Sequence, residues 1–193
     1  MLENELKDPS PEALISCRVR EERLKRGWTL VELSERAKVS RAMISKIERG
    51  TSSPTAVLLD RLAGAMGLSV TSLMSERPHS RSALRRFDDQ PLWRDPATGY
   101  SRRLVSPAGD EGDAEVVAID LPAGVTINFE ALGSLRADIQ VLLFEGQLQL
   151  ELGERCLDLA PGDCARIAVD QPHAFRNVGK SAARYLVVMR HWV

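Results

Sequence analysis

The chain has 193 residues, 44% hydrophobic and 27% charged, with 26 Lys and Arg against 27 Asp and Glu for a net charge of −1. That profile argues against a disordered or fibrous chain and against a strongly basic nucleic-acid coat protein, though not against a local DNA-binding face. No run approaches the ~18 continuous apolar residues of a membrane span.

The acidic opening MLENELKDPSPEALIS lacks an apolar signal core, so a cytoplasmic location and no membrane partner are expected. Ser10 and Pro11 then supply a capping hydroxyl and a proline at the first position of a helix, which Gly27 stops. Thr29 caps a second short helix, LVELSERA, and Lys38-Val39 makes a tight turn. Ser40 caps a third, RAMISKIER, ended by Gly50. Ser53-Pro54 is expected to open a fourth helix closed by Gly67, and Ser69 a fifth short turn containing Val70 and Leu73. Leu30, Leu33 and Ala37 form one apolar stripe, and Ile44 and Ile47 another. Leu59, Leu62, Ala63 and Met66 follow the i, i+3, i+4, i+7 rule of a packed helix. Two short helices joined by a three- or four-residue turn over one small core make a helix-turn-helix.

With Ile44 and Ile47 turned inward, the third helix presents Arg41, Ala42, Ser45, Lys46 and Arg49 outward, with 41, 45 and 49 in one row and 42 and 46 in the next. Arg and Lys there suit guanine O6 and N7, and Ala42 is small enough to approach a base edge or thymine methyl. The hydroxyls and helix N-termini at Thr29 and Ser40 suit phosphate oxygens. Residues 15–50 carry ten basic and five acidic groups, whereas 78–193 carry 13 and 16. One part of the chain is thus suited to a polyanion and the other is not.

SERPHSRSALRRFDDQP is polar, basic and poor in large apolar residues, a linker by composition. Beyond Leu92 the pattern alternates or runs in short apolar bursts between Gly, Pro and Asp, as in IQVLLFEGQLQLELG and RYLVVMRHWV; these are many short strands of an all-β barrel or sandwich. The expected organisation is a five-helix DNA-binding domain at 11–75, a linker at 76–91 and a β-barrel domain at 92–193. Cys17, Cys156 and Cys164 cannot all pair and show no CxxC spacing, so they read as inert thiols rather than a disulfide scaffold, zinc module or redox switch.

The stretch from about 15 to 74, with its run VSxxxISKIERGxxSP, resembles the XRE (Cro/phage-repressor-like) helix-turn-helix family. The resemblance implies that the third helix reads the major groove through Arg41, Ala42, Ser45 and Lys46, that Arg49 meets phosphate, and that Glu48 is structural. Two positions depart from the family. Leu30 stands where many members carry a phosphate-binding Gln, and Glu22 stands where an apolar core residue is usual.

PGDCARIAVDQPHAFRN resembles the second cupin motif. Gly162, His173 and Asn177 fit its spacing, while Ala168 and Asp170 replace its Pro and second Gly. LPAG…VLLFEGQLQLELGERCLDL is similar to the strand-turn-strand core before it, with Gly124 and Gly146 as its glycines. The resemblance implies a double-stranded β-helix, and in metal-binding members two His and a Glu from the first motif joined by one His from the second. Here the first-motif His positions fall among Leu132, Gly133, Ser134 and Leu135, and Ile139 takes the Glu position. Only His173 and at best Glu130 remain. Neither a metal, nor a cofactor, nor a catalytic residue is therefore expected.

A barrel without metal still encloses space. Glu130, Gln140, Arg166 and His173, with Arg136 beside them, are the candidates to line it for a small anionic or hydrogen-bonding effector. The combination resembles the XRE–cupin transcriptional regulators. It implies a non-enzymatic, sequence-specific regulator, homodimeric through the barrel, on a double-stranded and palindromic operator. A barrel that only dimerises, or one that retains metal-dependent activity, are the alternatives.

Overall fold

The computed structural model describes residues 10–74, 83–107, 113–131, 136–167 and 171–192. Among them the helices come first: α1 (Pro11–Lys25), α2 (Leu30–Ala37), α3 (Arg41–Glu48), α4 (Ala56–Met66) and α5 (Val70–Met74). After a 3-10 turn at Phe87–Asp89 come β1 (Leu92–Arg94), β2 (Ser101–Leu104), β3 (Ala114–Leu121), β4 (Thr126–Phe129) and β5 (Arg136–Glu145). They are followed by β6 (Leu148–Leu152), β7 (Arg155–Leu159), β8 (Cys164–Ile167), β9 (His173–Asn177) and β10 (Ala183–Trp192).

Local chemistry sets the helix ends. Ser10 accepts from the Ala13 amide, Thr29 from Glu32 and Ser40 from Met43. Lys38 closes α2 in the left-handed region at φ 53°. The start of α4 differs from the expected Ser53-Pro54. The capping hydroxyl belongs to Thr55, which accepts from the Leu58 amide, and Ser53-Pro54 lies before the helix with Pro54 buried. Apolar faces of α1, α2, α3 and α4 then meet. Ile15, Val19, Leu33, Ile44, Ile47 and Leu59 are fully buried, each contributing about 1.5–3 kcal/mol by leaving water.

Two buried ion pairs tie α1 to its neighbours. Arg23 grips Glu48 of α3 with two parallel bonds, Nε–Oε1 2.7 Å and Nη2–Oε2 2.8 Å, and its Nη1 donates to the Trp28 carbonyl at 2.8 Å. Glu22, buried where an apolar residue is usual, is paired with Arg26, whose other nitrogen donates to the Met66 carbonyl at the end of α4. A polar residue is thus accommodated because a cation beside it also satisfies an orphan helix carbonyl.

The strands build two antiparallel sheets of the cupin type, ordered β1-β2-β3-β10-β5-β8 and β4-β9-β6-β7. Alternation sends Val117, Ile119, Val141, Leu143 and Val187 inward on the first sheet, and Leu148, Leu150 and Phe175 inward on the second. Gly146, between β5 and β6, has φ 86°, and a Cβ there would lie 2.7 Å from the Ala182 carbonyl oxygen, so no other residue fits without backbone movement. Asn177 is buried with its amide satisfied. Nδ2 donates to the carbonyls of Leu121 and Ser181, both at 2.8 Å, and Oδ1 accepts from the Gly179 amide.

The helices pack on the β half through specific polar bonds. The Asp95 carboxylate, in the turn after β1, accepts from the Ala56 amide at 2.9 Å and so caps α4 across the junction. Arg61 of α4 meets Glu130, just after β4, at 2.8 Å, and Ser69 meets Glu115 of β3 at 3.3 Å. Trp93 of β1 is fully buried, edge-on to Tyr100.

Candidate nucleic-acid interface and junction cavity

Packing Ile44 and Ile47 inward leaves Arg41, Ala42, Lys46 and Arg49 exposed along α3, with Ser45 half-buried between them. Arg49 lies back along its helix, its Nε donating to the Ser45 carbonyl at 3.1 Å. Ser40 is exposed at the helix start. Thr29 is at the start of α2 in a capping box: its amide and its hydroxyl both donate to the Glu32 carboxylate, at 2.7 and 2.9 Å, and these bonds hold Glu32 below the usual carboxylate range. Arg36, not singled out in the sequence, lies 4.4 Å over the Trp28 ring on the exposed flank of α2.

A cavity of about 50 Å3 lies where the two halves meet. The β half contributes Tyr100, Arg102, Phe129, Ile139, His173 and Tyr185 to its wall, and the helices contribute Asp60 of α4 with Ser69 and Val70. Of the four effector-pocket candidates, His173 is buried there. The other three lie elsewhere, for the reason that strand alternation and the helices decide. Gln140 and Arg166 face each other across β5 and β8 on the outer surface, where Arg166 is paired with Asp138. Glu130 is exposed and engaged by Arg61. The Arg136 side chain and Leu132, Gly133, Ser134, Leu135, Ala168 and Asp170 lie outside the described residues. Cys17, Cys156 and Cys164 are exposed and form no disulfide.

His173 stacks on Phe129 at 5.3 Å and meets Phe175 edge-on. Its Nδ1 is 3.2 Å from the Gln171 carbonyl, which can only accept, so Nδ1 carries the proton and Nε2 remains an acceptor. Burial pushes its pKa down, against the opposing effect of that bond, and keeps the ring neutral. Asp60 is 5% exposed, and loss of water raises its pKa to about 7, despite a bond from the Glu130 amide and the positive charge of Arg102. Arg102, 7% exposed, donates to the Tyr100 hydroxyl at 2.9 Å and to Thr71 at 3.5 Å. Its Nε has no partner among the described residues.

These groups do not fit a cupin metal. His173 is surrounded by aromatic and aliphatic side chains, with Ile139 at the position of the carboxylate ligand. Among the described residues no three His, Cys, Asp or Glu side chains converge. The sequence betrayed His173 through its motif spacing, but not Asp60 or Arg102, which come together only when the two halves pack.

An exposed cationic helix on a capped helical core, followed by a two-sheet β domain, defines a helix-turn-helix protein with a C-terminal cupin domain. The Helix-turn-helix family matches residues 19–73 and the Cupin domain family residues 141–189. The chain belongs to the XRE-type helix-turn-helix transcriptional regulators that carry a cupin domain. It is 26% identical over 172 residues to the HTH-type transcriptional regulator SutR of Escherichia coli (strain K12), covering 89% of this chain and 91% of SutR. It is also 36% identical over 62 residues to the immunity repressor protein of Bacillus phage phi105, covering 32% of this chain and 43% of that repressor. In fold it matches the crystal structure of an HTH_3 family transcriptional regulator from Vibrio cholerae, with a TM-score of 0.74 at 23% identity over 94% of this chain and 97% of that one.

Proposed function

We propose that this regulator binds a palindromic operator as a homodimer, inserting α3 in the major groove, and answers to a small molecule held in the junction cavity. The observation that carries the DNA reading is the row of exposed Arg41, Ala42 and Lys46 on a helix whose opposite face is locked in the core. Arg41 and Lys46 are the base-reading donors, Ala42 and Ser45 allow close approach, and Ser40 and Arg49 meet phosphate. The outer face of the larger sheet supports the dimer, because Val116 and Ala118 of β3, Leu142 of β5 and Leu186 and Val188 of β10 form a half-exposed apolar row. No helix among the described residues is long and apolar enough to cross a membrane, and we place the protein in the cytoplasm with its DNA. We assign the protein a regulatory rather than a catalytic role, without cofactor, and no metal at the cavity, where among the described residues no three His, Cys, Asp or Glu side chains converge.

Operator variants tested by gel shift or fluorescence anisotropy check the reading. Arg41→Ala and Lys46→Ala should each lose about 1–3 kcal/mol at one operator position, whereas Arg49→Ala should weaken all sequences alike and reduce the salt slope by about one. A uniform loss for Arg41→Ala would reassign it to phosphate.

A further inference from the structure

Arg102 is a buried cation that forms no ion pair among the described residues. It sits at the end of the cavity where β2 faces the helices, and two of its nitrogens are spent on the neutral hydroxyls of Tyr100 and Thr71. No carboxylate lies within ion-pairing distance of it among the described residues, and its buried Nε has no acceptor. Among the described residues this guanidinium has two hydrogen bonds to neutral groups, no carboxylate in ion-pairing distance and one buried nitrogen without an acceptor, and either deficit is costly in a low-dielectric site. The rest of the wall is apolar or aromatic: Phe129, Ile139, Val187 and Met189.

We propose that the cavity is a binding site for a small organic carboxylate, whose carboxylate pairs with Arg102 and whose apolar body lies against Phe129, Ile139 and Met189. The inference deepens the effector reading above and rests on it. Asp60 lines the same cavity but makes no ion pair with Arg102, and in its protonated form, which burial favours, its O–H is a further donor to a ligand oxygen. The small volume admits a ligand of few heavy atoms rather than a nucleotide or a lipid. Asp60, Ser69 and Val70 come from α4 and α5, so a ligand there touches the DNA-binding half directly. It biases the setting of that half by the difference in its affinity for the two arrangements.

The test uses the full chain and three matched series: acetate, propionate and butyrate, their amides, and the corresponding amines. Calorimetry and thermal melting should show at least one acid binding about tenfold or more tighter than its amide, with the amine not binding. Arg102→Gln, shown to be folded by circular dichroism and by retained operator binding, should lose that preference, and Arg102→Lys should keep part of it. Should the Gln variant not fold, the acid–amide–amine comparison on the native chain and the Lys variant still decide. An amide or amine that binds as tightly as its acid overturns the carboxylate site while leaving the effector reading intact. If no acid or amide binds at about 10 mM while operator binding persists, both the site and the effector reading fall and the DNA reading stands. Retention of the acid preference by folded Arg102→Gln would remove the role of Arg102.

Discussion

The outer face of α3 and the wall of the junction cavity both carry arginine, and the two could hardly be set more differently. Arg41 and Arg49 are exposed, where a guanidinium without a counter-ion costs little because water solvates it. Arg102 stands inside the protein, where its charge has been stripped of solvent and one nitrogen has no partner among the described residues. Charge that waits for a large polyanion belongs outside. Charge that selects one small ligand belongs in a dry, shaped place. The buried Arg23–Glu48 pair shows a third arrangement, in which the counter-ion is built in and the result is a strut rather than a site.

The sharpest way to test that contrast is to delete one arginine of each kind. Arg23→Ala leaves the Glu48 carboxylate buried without its partner, and urea unfolding should report a loss of about 3–5 kcal/mol. Arg41→Ala in the same assay should stay within about 0.5 kcal/mol of the native chain. Comparable losses for the two would erase the distinction.

Next in size comes the pH dependence at Asp60. Its carboxyl holds a proton up to about pH 7 in the folded protein but only to about 3.8 when unfolded, so the folded state binds the extra proton between these values. Stability from this group is therefore complete below pH 3.8 and is lost as pH rises through 7, by up to the order of 4 kcal/mol. Arg61 on the same helix, Glu130 after β4, Arg102 and Tyr100 around β2, and His173 of β9 are the groups facing it. Asp60→Asn, a neutral isostere that still accepts from the Glu130 amide, should flatten the decline between pH 4 and 7 in denaturation curves. An unchanged slope would mean that Asp60 is ionised in the folded chain.

The smallest expected effect concerns the join itself. Asp95→Ala removes the cap from the Ala56 amide and should cost about 1–2 kcal/mol. Amide exchange should quicken at the start of α4 and leave α3 unaltered. Protection lost equally in both helices would show that the junction does not shield the reading face from the β half.

Much of the helical half was legible in the sequence, because its information is local: a capping hydroxyl, a period of 3.6 and a terminating glycine act within a few residues. The misplaced start of α4 shows the limit. Ser53-Pro54 and Thr55 are both competent signals, and the cap that prevails is the one whose neighbouring amide Asp95 also satisfies from the other domain. In the β half, alternation revealed strands and motif spacing revealed His173. Which face of β5 and β8 turns inward is a matter of register, and it sends Gln140 and Arg166 to the surface.

By itself, then, the chain's order of residues determined the two domain types, the helix caps and the identity of the cationic strip on α3, because neighbours along the chain suffice to specify them. Only the tertiary structure decided that Asp60, Arg102 and His173 share one cavity. They come from positions far apart in sequence, and the loss of water that alters a carboxyl's proton affinity or strands a guanidinium exists only once the two halves have closed over them.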